Sequence, residues 1–132
     1  MQTLQIFQSL WAMELRQANE PELSLDESFS MIASAGFAGV CLDPGITEVE
    51  DTRKLKPWFE RYRLKCIMNV FPQELDELRP LLELARDMDA CLVNIIGGVT
   101  PVEVENAIPV VHRWLHDAAD FDIPVLFETH RD

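Results

Sequence analysis

At 132 residues the chain suits one domain and is too short for two, and 48% hydrophobic against 26% charged residues exclude a disordered tract. A formal net charge of -12 repels phosphate backbones, so no nucleic-acid partner is expected. No apolar run approaches the roughly 18 residues of a membrane span, and Met1-Gln2-Thr3-Leu4-Gln5 has neither basic flank nor signal core, so no membrane partner and a cytoplasmic location are expected.

The first β-rich run is Leu4 to Trp11. A helical pattern follows from Ser24-Leu25-Asp26-Glu27, where Ser24 and Glu27 have capping-box spacing and Phe29, Ile32 and Ala33 form an apolar stripe. Gly36 is placed to end that helix at positive φ.

Ala38 to Leu42 reads as the second strand. The next helical pattern, Val49 to Tyr62, carries Leu55, Phe59 and Tyr62 and is interrupted by Pro57, which either kinks it or opens its regular part. Its basic residues, Arg53 to Lys65, alternate with Asp51 and Glu60 and read as a solvated helix face.

Lys65 to Phe71 is the third strand, and Gln73 to Met88 the third helical pattern, with Leu75, Leu78, Leu82, Ala85 and Met88 inward and a bend expected at Pro80. Cys91 to Ile96 is the fourth strand. Thr100-Pro101-Val102-Glu103 has a cap residue, a first-turn proline and a capping-box glutamate, opening a helix whose expected inward face is Val104, Ile108, Val111, Leu115 and Ala118. Pro109 again lies inside. Pro124 to Phe127 is the fifth strand.

The middle three strands are nearly continuous apolar runs, as parallel strands covered on both faces are. Cys41, Cys66 and Cys91 each fall in a strand and form no CxxC pair, so reduced core thiols are expected rather than a zinc or redox motif. The order βαβαβαβαβ, with units recurring about every 30 residues, implies a parallel sheet with right-handed crossovers.

In such folds ligands bind at the carboxyl ends of the strands. Those ends hold Trp11 and Glu14; Asp43-Pro44-Gly45; Asn69-Val70-Phe71-Pro72; Asn94-Ile95-Ile96-Gly97-Gly98; and Glu128-Thr129-His130-Arg131-Asp132. The last is the most informative, because each charge after a buried strand must be paired, hydrated or coordinated. Glu128 and His130, two apart, point the same way on an extended strand, where both can ligate a divalent metal or one can contact substrate.

Phe7-Gln8-Ser9-Leu10-Trp11-Ala12-Met13, Gly39-Val40-Cys41-Leu42-Asp43, Asn94-Ile95-Ile96-Gly97-Gly98 and Phe127-Glu128-Thr129-His130 resemble the xylose isomerase-like TIM-barrel superfamily of sugar and sugar-phosphate isomerases and epimerases. The resemblance implies an α/β fold: a partial (β/α)8 barrel of five parallel strands in sequential order with four intervening helices, residues 1–132 being the N-terminal portion of one barrel domain cut after strand five. It implies Glu128 as a ligand of manganese, magnesium, cobalt or zinc and as an acid/base beside a carbonyl, the metal polarising the substrate oxygens and stabilising an enediolate. A second glutamate, an aspartate and a histidine of the family site would lie beyond Asp132. The 132-residue chain alone is therefore expected to bind no metal and to be inactive.

Small sugars or sugar phosphates are the implied substrates. His130 would contact substrate, Trp11 would wall a sugar ring, and Asp43 and Asn69 would hydrogen-bond hydroxyls; the competing readings are a surface histidine, a packed rim tryptophan and turn or cap residues. Gly97-Gly98 either admits a phosphate to backbone amides or forms a plain turn. His112 and His116 are i,i+4, but Arg113 stands where a zinc-protease glutamate would be, and His130-Arg131-Asp132 matches the kinase tripeptide without its context. Two other readings of the whole are a complete flavodoxin-like binding or signalling module, with strand order 2-1-3-4-5, and an inert truncation product. A partial barrel would also leave open sheet edges prone to self-association.

Overall fold

The computed structural model describes residues 4–14, 21–98 and 103–128. Strands β1 (Phe7–Ser9), β2 (Gly39–Leu42), β3 (Lys65–Val70), β4 (Ala90–Ile95) and β5 (Val125–Phe127) form one parallel sheet in the order β1-β2-β3-β4-β5. Sequential order is that of a partial barrel. It overturns the flavodoxin-like reading, which needs β1 inside the sheet.

Helices fill every connection: α1 (Leu25–Ser34), α2 (Val49–Arg53) followed by α3 (Lys56–Tyr62), α4 (Leu78–Asp87) and α5 (Val104–Ala119). Right-handed crossovers in a sequentially ordered sheet place all of them on one face. The core lies there. Val40, Leu42, Met68, Val70, Val93 and Ile95 meet Phe29, Phe59, Leu81 and Trp114 in one buried cluster. Phe29 and Phe59 pack edge to face at 5.1 Å.

Local signals explain the helix ends. The Glu27 amide donates to Ser24 Oγ at 3.2 Å, and Glu27 Oε2 accepts from the Ser24 amide at 2.9 Å. Gly36, at φ +83°, lets the chain leave α1 with its amide on the Ala33 carbonyl and that of Phe37 on the Ile32 carbonyl. Pro57 lies in the first turn of α3 and separates it from α2. Pro80 also lies in a first turn, that of α4, after a 3₁₀ turn at Leu75–Glu77. Pro80 is accommodated there because a first-turn amide has no intrahelical acceptor to lose. Pro109 is inside α5, which continues through it to Ala119.

Three details of the sequence reading are corrected. The buried face of α5 is Trp114, Asp117 and Ala118, with Val110 packed against the core, whereas Val104, Ile108 and Leu115 are exposed. Trp114 decides this rotation. Its Nε1 donates to the Leu75 carbonyl at 3.1 Å, and its ring stacks on Phe127 with centroids 6.5 Å apart. In α4, Leu81 and Leu84 join the buried set and Leu75 leaves it, because α4 is flanked by both α2 and α5. Finally, Cys91 is exposed, Cys41 half-buried and only Cys66 fully buried. Cys66 pairs with Ala90 and Ile67 with Leu92, so Cys91 is the extra residue of a bulge. The cap expected at Thr100 and Pro101 lies outside the described residues.

Candidate active site

The face of the sheet turned away from the helices carries the side chains of alternate residues. Its lower layer is apolar: Phe7, Ile67 and Leu92 are half-buried and Leu126 is exposed. Gly39 belongs to this layer. A Cβ there would lie 2.2 Å from the Lys65 carbonyl oxygen and 2.5 Å from the Phe7 ring, so only glycine lets β1 and β3 flank β2 as they do.

Above this layer, at the carboxyl ends, polar side chains from all five strands join in one row. Ser9 Oγ donates to Asp43 Oδ2 at 3.3 Å, and Asn69 Nδ2 donates to Asp43 Oδ1 at 2.7 Å. Asn94 Nδ2 donates to Asn69 Oδ1 at 3.2 Å and to Glu128 Oε2 at 2.7 Å. Register builds the row. Asn69 is paired with Asn94, Asp43 follows the Leu42–Met68 pair, and the Glu128 amide extends the β4–β5 ladder to the Ile95 carbonyl at 3.0 Å. Pro44 helps by holding the preceding Asp43 extended, in line with its strand.

Two amides thus separate two carboxylates, and each amide donates toward a carboxylate end. Asp43 and Glu128 belong to strands three places apart in the sheet, with Asn69 and Asn94 between them. The turn-residue reading of Asp43 is not what its contacts show, for the acid that caps the following turn is Glu48, whose Oε2 accepts from the Gly45 amide at 2.8 Å.

Trp11 stands in a 3₁₀ turn just after β1 and is 56% exposed. With Glu14, Leu42, Asp43, Pro44 and Thr52 it lines an open cavity of about 420 Å³. Asp43 therefore belongs to both the row and this cavity. His130 lies outside the described residues.

Sequence reasoning gave roles to Asp43, Asn69 and Glu128, and placed Asn94 at a strand end and Ser9 in the first strand without assigning either a part in the site. The available signal was positional: Asn69 and Asn94 are each the next-to-last residue of their strands. The glycine pair serves packing, since a Cβ on Gly97 would lie 2.6 Å from the Trp114 ring and one on Gly98 2.4 Å from the Gln73 side chain.

Among the described residues, the grouping of three potential metal-ligating side chains is His116, Asp117 and Asp120. It is on α5, away from the row, and its acids are engaged: Arg79 meets Asp117 at 3.5 Å and Asp120 at 3.0 Å, and Arg113 meets Asp117 at 3.2 Å. At the mouth, Glu128 offers the hard oxygen a manganese or magnesium ion prefers. One carboxylate beside two amides is not a complete donor set, so an ion there requires ligands from outside the described residues.

No family model and no curated protein matches this sequence. Among solved structures, the chain is similar to D-allulose 3-epimerase from Methylomonas sp., with a TM-score of 0.69 and 14% identity over 97% of this chain and 52% of that one. The chain thus spans about half the length of that protein. The likeness establishes the fold, five parallel strands with interleaved helices as part of a TIM barrel. No helix among the described residues is long and apolar enough to cross a membrane.

Proposed function

We propose that this chain is the N-terminal part of a divalent-metal-dependent isomerase or epimerase acting on a small sugar or sugar phosphate. The observation that carries the reading is the row from Ser9 to Glu128, which gathers acceptors and donors where a barrel binds its ligand. The solved likeness acts on D-allulose by its printed name, which supports a sugar as the ligand class.

In this reading Glu128 ligates the ion and moves the proton at the carbon beside the substrate carbonyl. The ion, when bound, supplies Lewis-acid polarisation of substrate oxygens. Asn94 keeps the Glu128 carboxylate turned toward the row. Asp43 and Asn69 hydrogen-bond substrate hydroxyls, and Trp11 supplies an apolar wall beside Asp43. His130 contacts substrate. The opposite catalytic face and the remaining ligands come from residues beyond this chain, so the chain alone does not turn over.

The side-chain amides of Asn69 and Asn94 provide the test. In ¹H–¹⁵N spectra, D-allulose should shift both side-chain amides, an effect weakened in Glu128→Gln and Asp43→Asn. No sugar-dependent shift at either asparagine would remove the basis for a carbohydrate enzyme.

A further inference from the structure

The cavity beside Trp11 reaches past the strand end into the helix layer. Leu10, Leu25, Leu42 and Leu55 wall it. Leu42 belongs to the core on the helix side of the sheet, and Leu10 and Leu55 pack against that core. The row from Ser9 to Glu128 lies on the opposite face. At about 420 Å³ the cavity falls in the range of small-molecule sites, roughly 300–1,000 Å³.

Its polar lining is one-sided. Glu14, Asp43, Glu48 and Asp51 bring carboxylates, and among the described residues no lysine, arginine or histidine lines it. Three of these acids are held: Asp43 accepts from Ser9 and Asn69, Glu48 from the Gly45 amide at 2.8 Å, and Asp51 meets Lys54 at 2.6 Å. The Glu14 carboxylate makes no hydrogen bond or ion pair among the described residues.

Thr52 gives an independent signal. It is 8% exposed, yet its hydroxyl takes part in no hydrogen bond among the described residues. Every fully enclosed polar side-chain atom there has a partner. The Thr52 hydroxyl is therefore not sealed in the core but opens on the cavity that Thr52 lines. A hydroxyl this deep is satisfied by what enters the cavity.

A ligand in this place meets acceptors and leucines. Phosphates and carboxylates are repelled by the acids, and a neutral molecule leaves the Glu14 charge uncompensated. A primary ammonium brings a positive charge and three N–H donors, enough for the Glu14 carboxylate and the Thr52 oxygen together. We infer that this cavity binds a small organic ammonium ion with a compact apolar body. It shares Asp43 and Trp11 with the proposed sugar site, but Glu14 and Thr52 have no part in that site, so the inference does not depend on the sugar chemistry.

Benzylammonium chloride is the probe, with benzyl alcohol and benzoate as its neutral and anionic counterparts. In ¹H–¹⁵N spectra of the 132-residue chain, benzylammonium should produce saturable shifts at the Glu14, Leu25 and Thr52 amides. Benzyl alcohol should bind more weakly, and benzoate should leave these amides in place. Glu14→Gln should raise the benzylammonium Kd by roughly fivefold, the worth of one exposed ion pair, and narrow its advantage over the alcohol. Thr52→Val should raise it by a similar factor, the worth of one hydrogen bond, while Thr52→Ser, which keeps the hydroxyl, should bind as the native chain does. Equal affinity for the ammonium and the alcohol would overturn the inference and leave an apolar cleft. So would the absence of saturable shifts, or shifts confined to Asn69 and Asn94. A D-allulose titration that fails beside a positive benzylammonium titration counts against the sugar reading alone.

Discussion

The Asn94 side-chain amide holds Glu128 Oε2 at 2.7 Å while also donating to Asn69 Oδ1 at 3.2 Å. One amide thereby fixes the orientation of the carboxylate on β5 and of the amide on β3. Through Asn69, whose Nδ2 is left to face Asp43, it influences the other end of the row as well.

Replacing that amide separates its donor role from its charge neutrality. Asn94→Leu removes the donor and should cost about 1 kcal/mol. Asn94→Asp also inserts a negative charge beside Glu128, so it should cost more at neutral pH. That excess should vanish as pH falls through the carboxylate range near about 4, where protonation removes the like charge and restores an O–H donor. Urea unfolding of both variants across pH is the measurement. Equal losses at every pH would mean the row has no electrostatic coupling.

Trp114 and Gly97 form a matched pair. Trp114→Ala should destabilise the chain by about 3–5 kcal/mol, enough to unfold a marginal domain. Gly97→Ala pushes a methyl against the ring and should cost about 1–3 kcal/mol. Trp114→Phe withdraws the ring atoms that Gly97 faces, so in its background the Gly97→Ala penalty should shrink. Thermal unfolding of the four proteins gives the coupling directly, and strict additivity would contradict the packing role assigned to Gly97.

The α1 capping box predicts a local acid sensitivity. Hydrogen bonds from the Ser24 side chain and then its amide hold the Glu27 carboxyl below its ordinary value. A carboxyl with a lowered folded pKa contributes stability above its unfolded pKa, and this contribution is lost as pH falls through the folded one. Ser24→Ala should cost about 1 kcal/mol and raise the Glu27 titration toward its ordinary value, the backbone amide at position 24 still donating to the carboxylate. Carbon-detected NMR of the Glu27 carboxyl in both proteins checks this; an unchanged titration in Ser24→Ala would refute the assigned cause.

The cysteines should react in sequence. Burial pushes the Cys66 thiol up to about 12 and, with Asp43 nearby, the Cys41 thiol up to about 11, so neither is a thiolate near neutral pH. Exposed Cys91 should alkylate first in the native chain. Peptide mass spectrometry after brief iodoacetamide treatment resolves the order, and equal labelling at Cys66 would indicate that β3 opens locally.

Much of the architecture was legible in the residues alone. Apolar runs separated by capped helical patterns determined five parallel strands, and Ser24, Glu27 and Gly36 marked the limits of α1 because capping acts over a few residues. The strand-end rule brought forward Asp43, Asn69 and Glu128, since placement at a carboxyl end follows from strand direction. What only the tertiary structure decided was relative: which of two apolar stripes on α5 turns inward, that Cys91 is squeezed out as a bulge, and that Asn94 joins two neighbours. Each depends on register and on a specific partner many residues distant, such as Phe127 for Trp114 or Glu128 for Asn94, and periodicity along one segment carries no information about the strand or helix that will lie beside it.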